Sequence, residues 1–260
     1  MKIAVCIKAV PDTETKIAIA SDKIHIETAG VKYITSPYDE FAIEEAVKIK
    51  EKHGGEIVGI SLGGAEVTEV LKNSLARGLD TALHLKDDLF ADLNPLSTAG
   101  CLAAAIRNEN FDIVLCGQQG VGGDNNQVPT IIAELLNWSQ VNQIVKLDIE
   151  GKEFKAEREI EGAHEIVAGV LPAVFSAQKD LNTPRYPSIK EIMAAKRKEI
   201  TIKDAESLGV KDAITKTKDL VVLKELSMPP ARTQGRKIEG SADEQVKQLV
   251  QLLRMEAKVI

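Results

Sequence analysis

Glycine and amide side chains crowd the stretch GQQGVGGDNNQV, from Gly117 to Val128, which follows the apolar run FDIVLCG. Its four glycines permit positive φ angles and let a ligand approach the backbone closely. A helix expected to begin near Asn126 would point its free N–H groups at the same place, which suits a phosphate. The stretch is neither GxxxxGK[ST] nor GxGxxG, so we expect a monophosphate or diphosphate held mostly by main chain. The pattern also fits a glycine turn that binds nothing.

Other reactive residue types occur without a catalytic or metal-binding pattern. GxSxG and HExxH are both absent, and we expect neither catalytic residues nor metal ligands. Cys6, Cys101 and Cys116 stand singly in apolar segments, which is typical of buried thiols rather than of a disulfide or zinc framework. Glu44 and Glu45 are expected on a solvated helix face. The histidines are expected to be surface or hydrogen-bonded structural side chains: His25, His53, His84 and His164.

The elements that must position the glycine stretch alternate between strand and helix up to about residue 138. The predicted strands are KIAVCIK, EIVGISLGG, TALHL and FDIVLCG. The first predicted helix has Ser36 as N-cap, Pro37 at its first position and Asp39 completing a capping box, and it ends at Gly54-Gly55. VTEVLKNSLARG and LSTAGCLAAAIRNEN are the next two helices. This rhythm predicts an α/β fold with an open, mostly parallel, Rossmann-like sheet and flanking helices.

Ligands of such a sheet bind outside the carboxyl ends of its strands. Four loops are expected to meet there: Cys6 to Thr13, Ser36 to Asp39, Leu62 to Gly64, and Gly117 to Val128.

The pattern changes after residue 138. VNQIVKLDIE, KEFKAEREI, HEIVAGV and AVFSAQ are strand-like with short polar breaks, which predicts antiparallel hairpins that extend or flank the sheet. The proline-framed stretch LNTPRYPSIKEIMAAKRKEI is expected to lead into a short helix. Lys196, Arg197 and Lys198 then form the densest basic run, which is typical of a solvated helix end.

We divide the chain into an α/β nucleotide-binding domain, residues 1–207, and a C-terminal arm, residues 208–260. In the arm, Ser241 with Glu244 three residues later predicts a capped helix. Its apolar stripe, formed by Val246, Leu249, Val250 and Leu253, must pack on something. The pattern leaves open whether that surface is another chain or the protein's own sheet.

Composition limits the class of protein. With 260 residues and 44% hydrophobic content, the chain can bury a core without disulfides. A net charge of -6 with interspersed signs argues against a nucleic-acid binder. Lys8 interrupts the first apolar run before it reaches the length of a signal peptide, so we expect a cytoplasmic protein that does not insert into a membrane. Aromatic residues are only 3% of the chain, so a complete flavin site within it is not expected.

Several segments together resemble the beta subunit of electron transfer flavoproteins: VCIKAVPDTETKI, SPYDEFAIEEAVKIKE, FDIVLCGQQGVGGDNNQV and EREIEGAHEIVAGVLPAVFSAQKDLNTPRYPSIKEIMAAKRKEI. The likeness runs in order from residue 1 to about residue 200. It implies a carrier without catalytic residues of its own, paired with an alpha subunit that holds most of the FAD site. It also implies electron transfer from a flavin dehydrogenase, such as an acyl-CoA dehydrogenase, to a quinone oxidoreductase or another acceptor. The arm would then pack on the alpha subunit.

The resemblance further implies AMP in this subunit. The residues matching the family's AMP contacts are Cys6, Ser36, Pro37, Tyr38, Asp39, Leu62, Gly117, Gln118, Gln119, Gly120, Val121, Gly122, Gly123, Asp124, Asn125, Asn126, Gln127 and Val128. The family's docking segment, the recognition loop, matches residues 184–196, with Arg185 and Tyr186 in it and Ile189 as its apolar anchor. Glu159 matches a glutamate that pairs with an arginine of the mobile flavin domain.

Four departures bear on the nucleotide. Ser36 stands where the family usually has asparagine, Leu62 where some members have cysteine, and GVGGDNN is more glycine-rich than the mitochondrial version. Thr13 replaces a tyrosine, and VPDT resembles the electron-bifurcating members, which hold a second FAD in place of AMP. The alternative of another class is a nucleotide-binding stress or sensor protein, or an ATP pyrophosphatase, of similar architecture. Neither of these has a reason to carry the recognition loop.

Overall fold

The computed structural model of the protein describes residues 1–107, 109–231 and 234–260. These ranges contain eleven strands: β1 (Lys2–Cys6), β2 (Ala9–Pro11), β3 (Tyr33–Thr35), β4 (Glu56–Leu62), β5 (Thr81–Leu85), β6 (Ile113–Gly117), β7 (Ser139–Glu150), β8 (Glu153–Ile160), β9 (Ala163–Val170), β10 (Ala173–Ala177) and β11 (Ile200–Lys203). Nine of them form one sheet in the order β11-β5-β4-β1-β6-β10-β7-β8-β9, while β2 and β3 pair separately. From β11 to β7 every pairing is parallel. The predicted open, mostly parallel sheet is confirmed.

Strand β1 lies at the centre of the parallel part, between β4 and β6. From β1 the chain adds β4 and then β5 on one side, and it then crosses back to place β6 on the other side. Strand order therefore reverses at β1, and the loops after β1 and β6 diverge to leave a crevice at their carboxyl ends. Cys6 ends β1 and Gly117 ends β6, so both residues reach this crevice.

One strand prediction was wrong. Residues 173–177 were expected to belong to antiparallel hairpins, but β10 is a parallel strand inserted between β6 and β7. All five of its residues are buried, as is typical of a central strand covered on both faces. Only β7, β8 and β9 form the antiparallel extension. The error arose because strands adjacent in sequence were assumed to be adjacent in the sheet.

Seven α-helices lie in the described ranges: α1 (Pro37–His53), α2 (Val67–Ala76), α3 (Pro95–Arg107), α4 (Val128–Leu136), α5 (Ile189–Ala195), α6 (Lys211–Thr217) and α7 (Ala242–Leu252). Helices α1 and α2 cover one face of the sheet, around Ile3, Val5 and Ile57. Helices α3, α4 and α6 cover the other face, around Ala4, Ile60 and Val114. The sheet is thus buried on both sides, as a doubly wound fold requires. The predicted third helix also included Asn108, which lies outside the described residues.

The start of α1 differs from the predicted capping box. Ser36 occupies the N-cap, but its hydroxyl caps no backbone N–H and is buried without a hydrogen-bond partner among the described residues. The Asp39 carboxylate accepts hydrogen bonds from the backbone of two other loops instead. The sequence pattern could not distinguish these outcomes, because the competing donors come from residues distant in the chain.

The C-terminal arm has two parts, and only the first packs on the α/β domain, which we call the body. Helix α6 still packs on α3, where Ile214 is buried and the Asn94 side-chain amide donates to the Thr217 carbonyl at 2.6 Å. From residue 221 onward no described residue is buried. We call residues 221–260 the outer arm; Arg232 and Thr233 in it lie outside the described residues. The predicted capped helix is present as α7, with its capping box between Ser241 and Glu244.

Candidate functional site

A cavity of about 260 Å³ opens at the crevice between the carboxyl ends of β1 and β6. Of the residues expected to bind the nucleotide, thirteen line it: Cys6, Asp39, Leu62, Gly117, Gln118, Gln119, Gly120, Gly123, Asp124, Asn125, Asn126, Gln127 and Val128. Each of the four loops expected to meet here contributes at least one of these lining residues. The structure therefore brings most of the candidate residues together.

Five candidates do not line the cavity: Ser36, Pro37, Tyr38, Val121 and Gly122. Ser36 is buried at the start of α1, where its carbonyl accepts a hydrogen bond from the N–H of the lining residue Asp39 at 2.9 Å. Gly122 has φ of 89°, so it forms the turn of the glycine loop rather than its inner surface.

Sequence reasoning missed a second group of lining residues. Most of them form an apolar wall contributed by the α3 region and by the strand ends: Ile7, Leu93, Pro95, Thr98, Leu102, Cys116 and Pro129. The remaining one is Lys8, which lies within the expected first loop but was not singled out. The apolar wall left no signal in the motif search, because α3 reaches the crevice only through the crossover between β5 and β6.

Asp39 ties two of the loops together. Its Oδ2 accepts a hydrogen bond from the Lys8 backbone N–H at 2.7 Å, and its Oδ1 accepts one from the Gly117 N–H at 3.0 Å. Burial raises the pKa of the Asp39 carboxyl to about 7, although the two N–H donors and the Lys8 charge act in the opposite direction. One side chain on α1 thus fixes the distance between the ends of β1 and β6.

Gly117 makes this close approach possible. A Cβ atom at this position would lie 2.7 Å from the carbonyl carbon of Tyr38 and 2.8 Å from the nitrogen of Asp39, and both atoms belong to backbone that cannot move independently. Gly123 differs, because a Cβ atom there would have its nearest neighbour, the Lys8 Nζ, at 3.4 Å. The first glycine therefore serves the fold, whereas the space at the second faces the cavity.

The floor of the cavity is formed by two thiols. Cys6 is the last residue of β1 and Cys116 the penultimate residue of the adjacent parallel strand β6, and both are free and buried, as expected for these cysteines. Hydrogen bonding between the two thiols, together with burial and the nearby Asp39, raises the pKa of Cys116 well above its usual range. Cys116 is therefore a neutral thiol at neutral pH, and it presents a small, weakly polar surface to a ligand.

The glycine loop ends at the N-terminus of α4. No side chain of the described residues caps this helix at Gln127, and Pro129 has no N–H, so the N–H groups of Val128 and Thr130 are those available to a ligand. The loop is braced behind them by a hydrogen bond from the Gln118 N–H to the Ala177 carbonyl at 2.9 Å and by one from the Gln119 amide to Asp124 at 3.0 Å. A preformed loop with free N–H groups at a helix start can bind an anion without rearranging.

The segment matched to the recognition loop lies on a different surface. Ile189 is 82% exposed and Tyr186 is 91% exposed. The short helix α5 begins at Ser188 with a capping box to Glu191, which holds Ile189 at the first helical position. A large apolar side chain is therefore presented to solvent from a rigid base.

Arg185 attaches this segment to α1. Its guanidinium forms ion pairs with Glu44 at 2.9 Å and Glu51 at 2.6 Å, and these two carboxylates, Glu51 first, raise its pKa. The expectation that Glu44 and Glu45 lie on a solvated face was wrong, because both are buried. Glu45 accepts a hydrogen bond from the Asn182 amide at 2.9 Å, and burial raises its pKa. The segment from residue 182 to 185 covers this face of α1, which the helical pattern alone could not show.

The remaining candidates are spread over the surface. Glu159 is exposed on β8, directly opposite His164 of β9. His25 lies between Asp22 and Asp92, and hydrogen bonds that its ring donates to these carboxylates raise its pKa to about 9. His84 is buried and contacts the Gly63 carbonyl at 3.0 Å. These contacts agree with structural roles for the two histidines.

The apolar stripe of α7 is uncovered. Val246 and Leu249 are 60% and 46% exposed, and neither packs on the sheet. The outer arm touches the body near Lys23, whose carbonyl accepts from the Leu226 N–H at 2.7 Å. An amphipathic helix with an exposed apolar face is typical of a segment that packs on another surface.

The described residues contain neither a metal-binding cluster nor a membrane-spanning helix. No group of three or more His, Cys, Asp or Glu side chains is arranged to hold a metal ion there. In the same part of the chain, every helix is too short or too polar to cross a membrane.

Comparison with known proteins gives a consistent result. The profile of the electron transfer flavoprotein domain matches residues 23–208. The electron transfer flavoprotein subunit beta of Bacillus subtilis is 39% identical over 264 residues, with 100% of both chains covered. The corresponding subunit of Syntrophomonas wolfei is 37% identical and covers 100% of this chain and 98% of its own, and that of Bos taurus is 37% identical with 94% of each chain covered. The chain therefore belongs to the electron transfer flavoprotein family, in which it is similar to beta subunits over its full length.

Proposed function

We propose that this protein is the beta subunit of a heterodimeric electron carrier, in which an alpha subunit holds most of the FAD and this chain binds a structural AMP. The observation that carries the nucleotide assignment is the cavity at the β1–β6 crevice, with the glycine loop and the start of α4 on one side. The chain contributes no catalytic residues in this proposal. Family membership favours it over a nucleotide sensor or an ATP pyrophosphatase.

The size of the cavity favours AMP over a second FAD. A volume of about 260 Å³ lies just below the range of roughly 300 to 1,000 Å³ typical of small-molecule sites, which suits a mononucleotide better than a dinucleotide. Thr13, the residue that suggested a bifurcating member, does not line this cavity. The apolar wall and thiol floor provide a surface for the adenine, and the glycine loop provides N–H groups for the phosphate.

The outer arm is proposed to bind the alpha subunit. None of its described residues is buried, and exposed apolar side chains occur in two groups, residues 221–223 and the stripe of α7. Leaving these groups in water would be unfavourable, and covering them would give a partner a large apolar contact. The part of the C-terminal arm that packs on α3 is assigned to the body.

The exposed Ile189 is proposed to dock into a pocket of a flavin dehydrogenase, with Tyr186 beside it. Arg185 is proposed to position the segment through its ion pairs with Glu44 and Glu51 rather than to contact the partner itself. Glu159 is proposed to pair with an arginine of the flavin domain, since its carboxylate is exposed. Electrons would pass on to a quinone oxidoreductase or another acceptor.

Co-expression with the alpha subunit of the same organism tests this function. We expect a yellow heterodimer that contains one FAD in the alpha subunit and is reduced by a flavin dehydrogenase. The chain expressed alone should be colourless. A yellow chain with stoichiometric flavin in the absence of any partner would contradict the proposal.

A further inference from the structure

The Lys8 side chain lies across the glycine loop. It follows β1, and its backbone N–H is fixed by Asp39 at 2.7 Å. A Cβ atom at Gly120 would lie 3.0 Å from the Lys8 Nζ, and a Cβ atom at Gly123 would lie 3.4 Å from it. The ammonium group therefore sits at the inner surface of the loop, and Lys8 lines the cavity.

This ammonium group has no carboxylate of its own. In the part of the chain that the structure describes, it forms no ion pair, whereas Lys2, Lys50 and Lys203 each do. The carboxylate of Asp124 in the same loop is engaged by the Gln119 amide. Asp39 and Asp124 also line the cavity, but neither forms an ion pair with the Lys8 Nζ, which therefore stays available to a ligand beside the start of α4.

The glycines of the loop have no side chains, which leaves room for the Lys8 side chain. A side chain at Gly120 would displace the Lys8 stem, because even its first carbon would meet the Lys8 methylene groups. The glycine thus allows the lysine to cross the loop and reach the position near Gly123. A P-loop carries its lysine within the glycine-rich loop itself, but here the cation comes from the neighbouring loop after β1.

We propose that Lys8 is the phosphate-binding cation of this cavity and that it makes the site select adenine nucleotides over adenosine. This inference rests on the proposed nucleotide site. The Lys8 Nζ would donate charge-assisted hydrogen bonds to the 5′-phosphate, while the loop and the start of α4 donate from the main chain. Adenosine would occupy the same apolar wall without engaging Lys8.

The test is calorimetric titration of the heterodimer, freed of the nucleotide in this cavity, with AMP and with adenosine. Lys8→Ala should weaken AMP binding about 10- to 100-fold, the loss expected for charge-assisted hydrogen bonds, and leave adenosine binding unchanged. Lys8→Arg should retain most of the AMP affinity. Lys72→Ala, which removes an exposed lysine on α2 away from the cavity, should bind AMP like wild type.

Three results would overturn the inference. Unchanged AMP affinity in Lys8→Ala would remove the role of Lys8 while leaving the nucleotide site intact. An equal loss for AMP and adenosine would mean that Lys8 only supports the fold, which an accompanying loss of thermal stability would confirm. A wild-type protein that binds neither compound would overturn the nucleotide site itself and Lys8 with it.

Discussion

The buried carboxyl of Asp39 should make the stability of the protein depend on pH in an unusual direction. Asp39 is only 5% exposed, and burial raises its pKa from an ordinary value of 3.8 to about 7. Between these two values the carboxyl is protonated in the folded state and ionised in the unfolded state. Because the folded state then binds more protons, this group stabilises the fold fully below pH 4 and loses its contribution as pH rises to 7.

The size of the effect follows from the shift. Between pH 5 and the folded pKa of about 7 lie two pH units, each contributing about 1.4 kcal/mol, so this group should lower the free energy of unfolding by roughly 2 to 3 kcal/mol between pH 5 and pH 8. Asp39→Asn cannot titrate. It keeps one acceptor but leaves the Lys8 or Gly117 N–H buried without a partner, which costs about 1 to 3 kcal/mol.

Urea unfolding of wild type and Asp39→Asn at pH 5 and pH 8 measures this prediction. The difference between the two proteins cancels the titration of all other groups. We expect wild type to be more stable at pH 5, and we expect that advantage to shrink by roughly 2 to 3 kcal/mol at pH 8. An advantage that grows with pH would refute the reasoning, because it would mean that the two N–H donors and Lys8 outweigh burial and keep the carboxylate ionised.

Four further substitutions test other parts of the structure. Gly117→Ala should lower the free energy of unfolding by about 1 to 3 kcal/mol through its clash with the start of α1. Gly123→Val should lose bound nucleotide but leave the thermal stability of the nucleotide-free protein unchanged, and the opposite pattern for these two variants would contradict the geometry. Ile189→Ala should lower the apparent affinity for the dehydrogenase, measured by coupled reduction, by about 1 to 3 kcal/mol. Ile166→Ala removes an exposed apolar side chain on β9 and serves as the control, for which the affinity should not change. Leu249→Glu on α7 should reduce heterodimer formation in size-exclusion chromatography without changing the stability of the isolated chain, and equal loss of both would mean that α7 packs on the body.

The sequence predicted the parallel sheet well because strand and helix alternate at a regular spacing through residue 138. That spacing, combined with the rule that ligands bind at the carboxyl ends of strands, was sufficient to predict that Cys6, Asp39 and the glycine loop lie at one site, and all of them contribute to one cavity. The position of β10 was missed, since nothing local distinguishes a buried strand of a hairpin from one that returns to the middle of the sheet.

The side-chain contacts were harder to predict than the fold. Asp39 has the residue type and spacing of a capping box, but two backbone N–H groups from distant strands compete successfully for it. Glu44 and Glu45 occupy positions that look solvated on a helical wheel, yet a later segment covers them. In each case the deciding partner is distant in sequence, so local patterns contain no information about it.

The nucleotide content of the purified heterodimer tests the central claim most directly. The complex should be denatured, and the released nucleotides should be separated and counted against protein. The account predicts one FAD and one AMP per heterodimer. Two FAD without AMP would mean that the second FAD occupies this cavity, as in a bifurcating member. A single FAD with no other adenine nucleotide would contradict the assignment of the cavity as a nucleotide site.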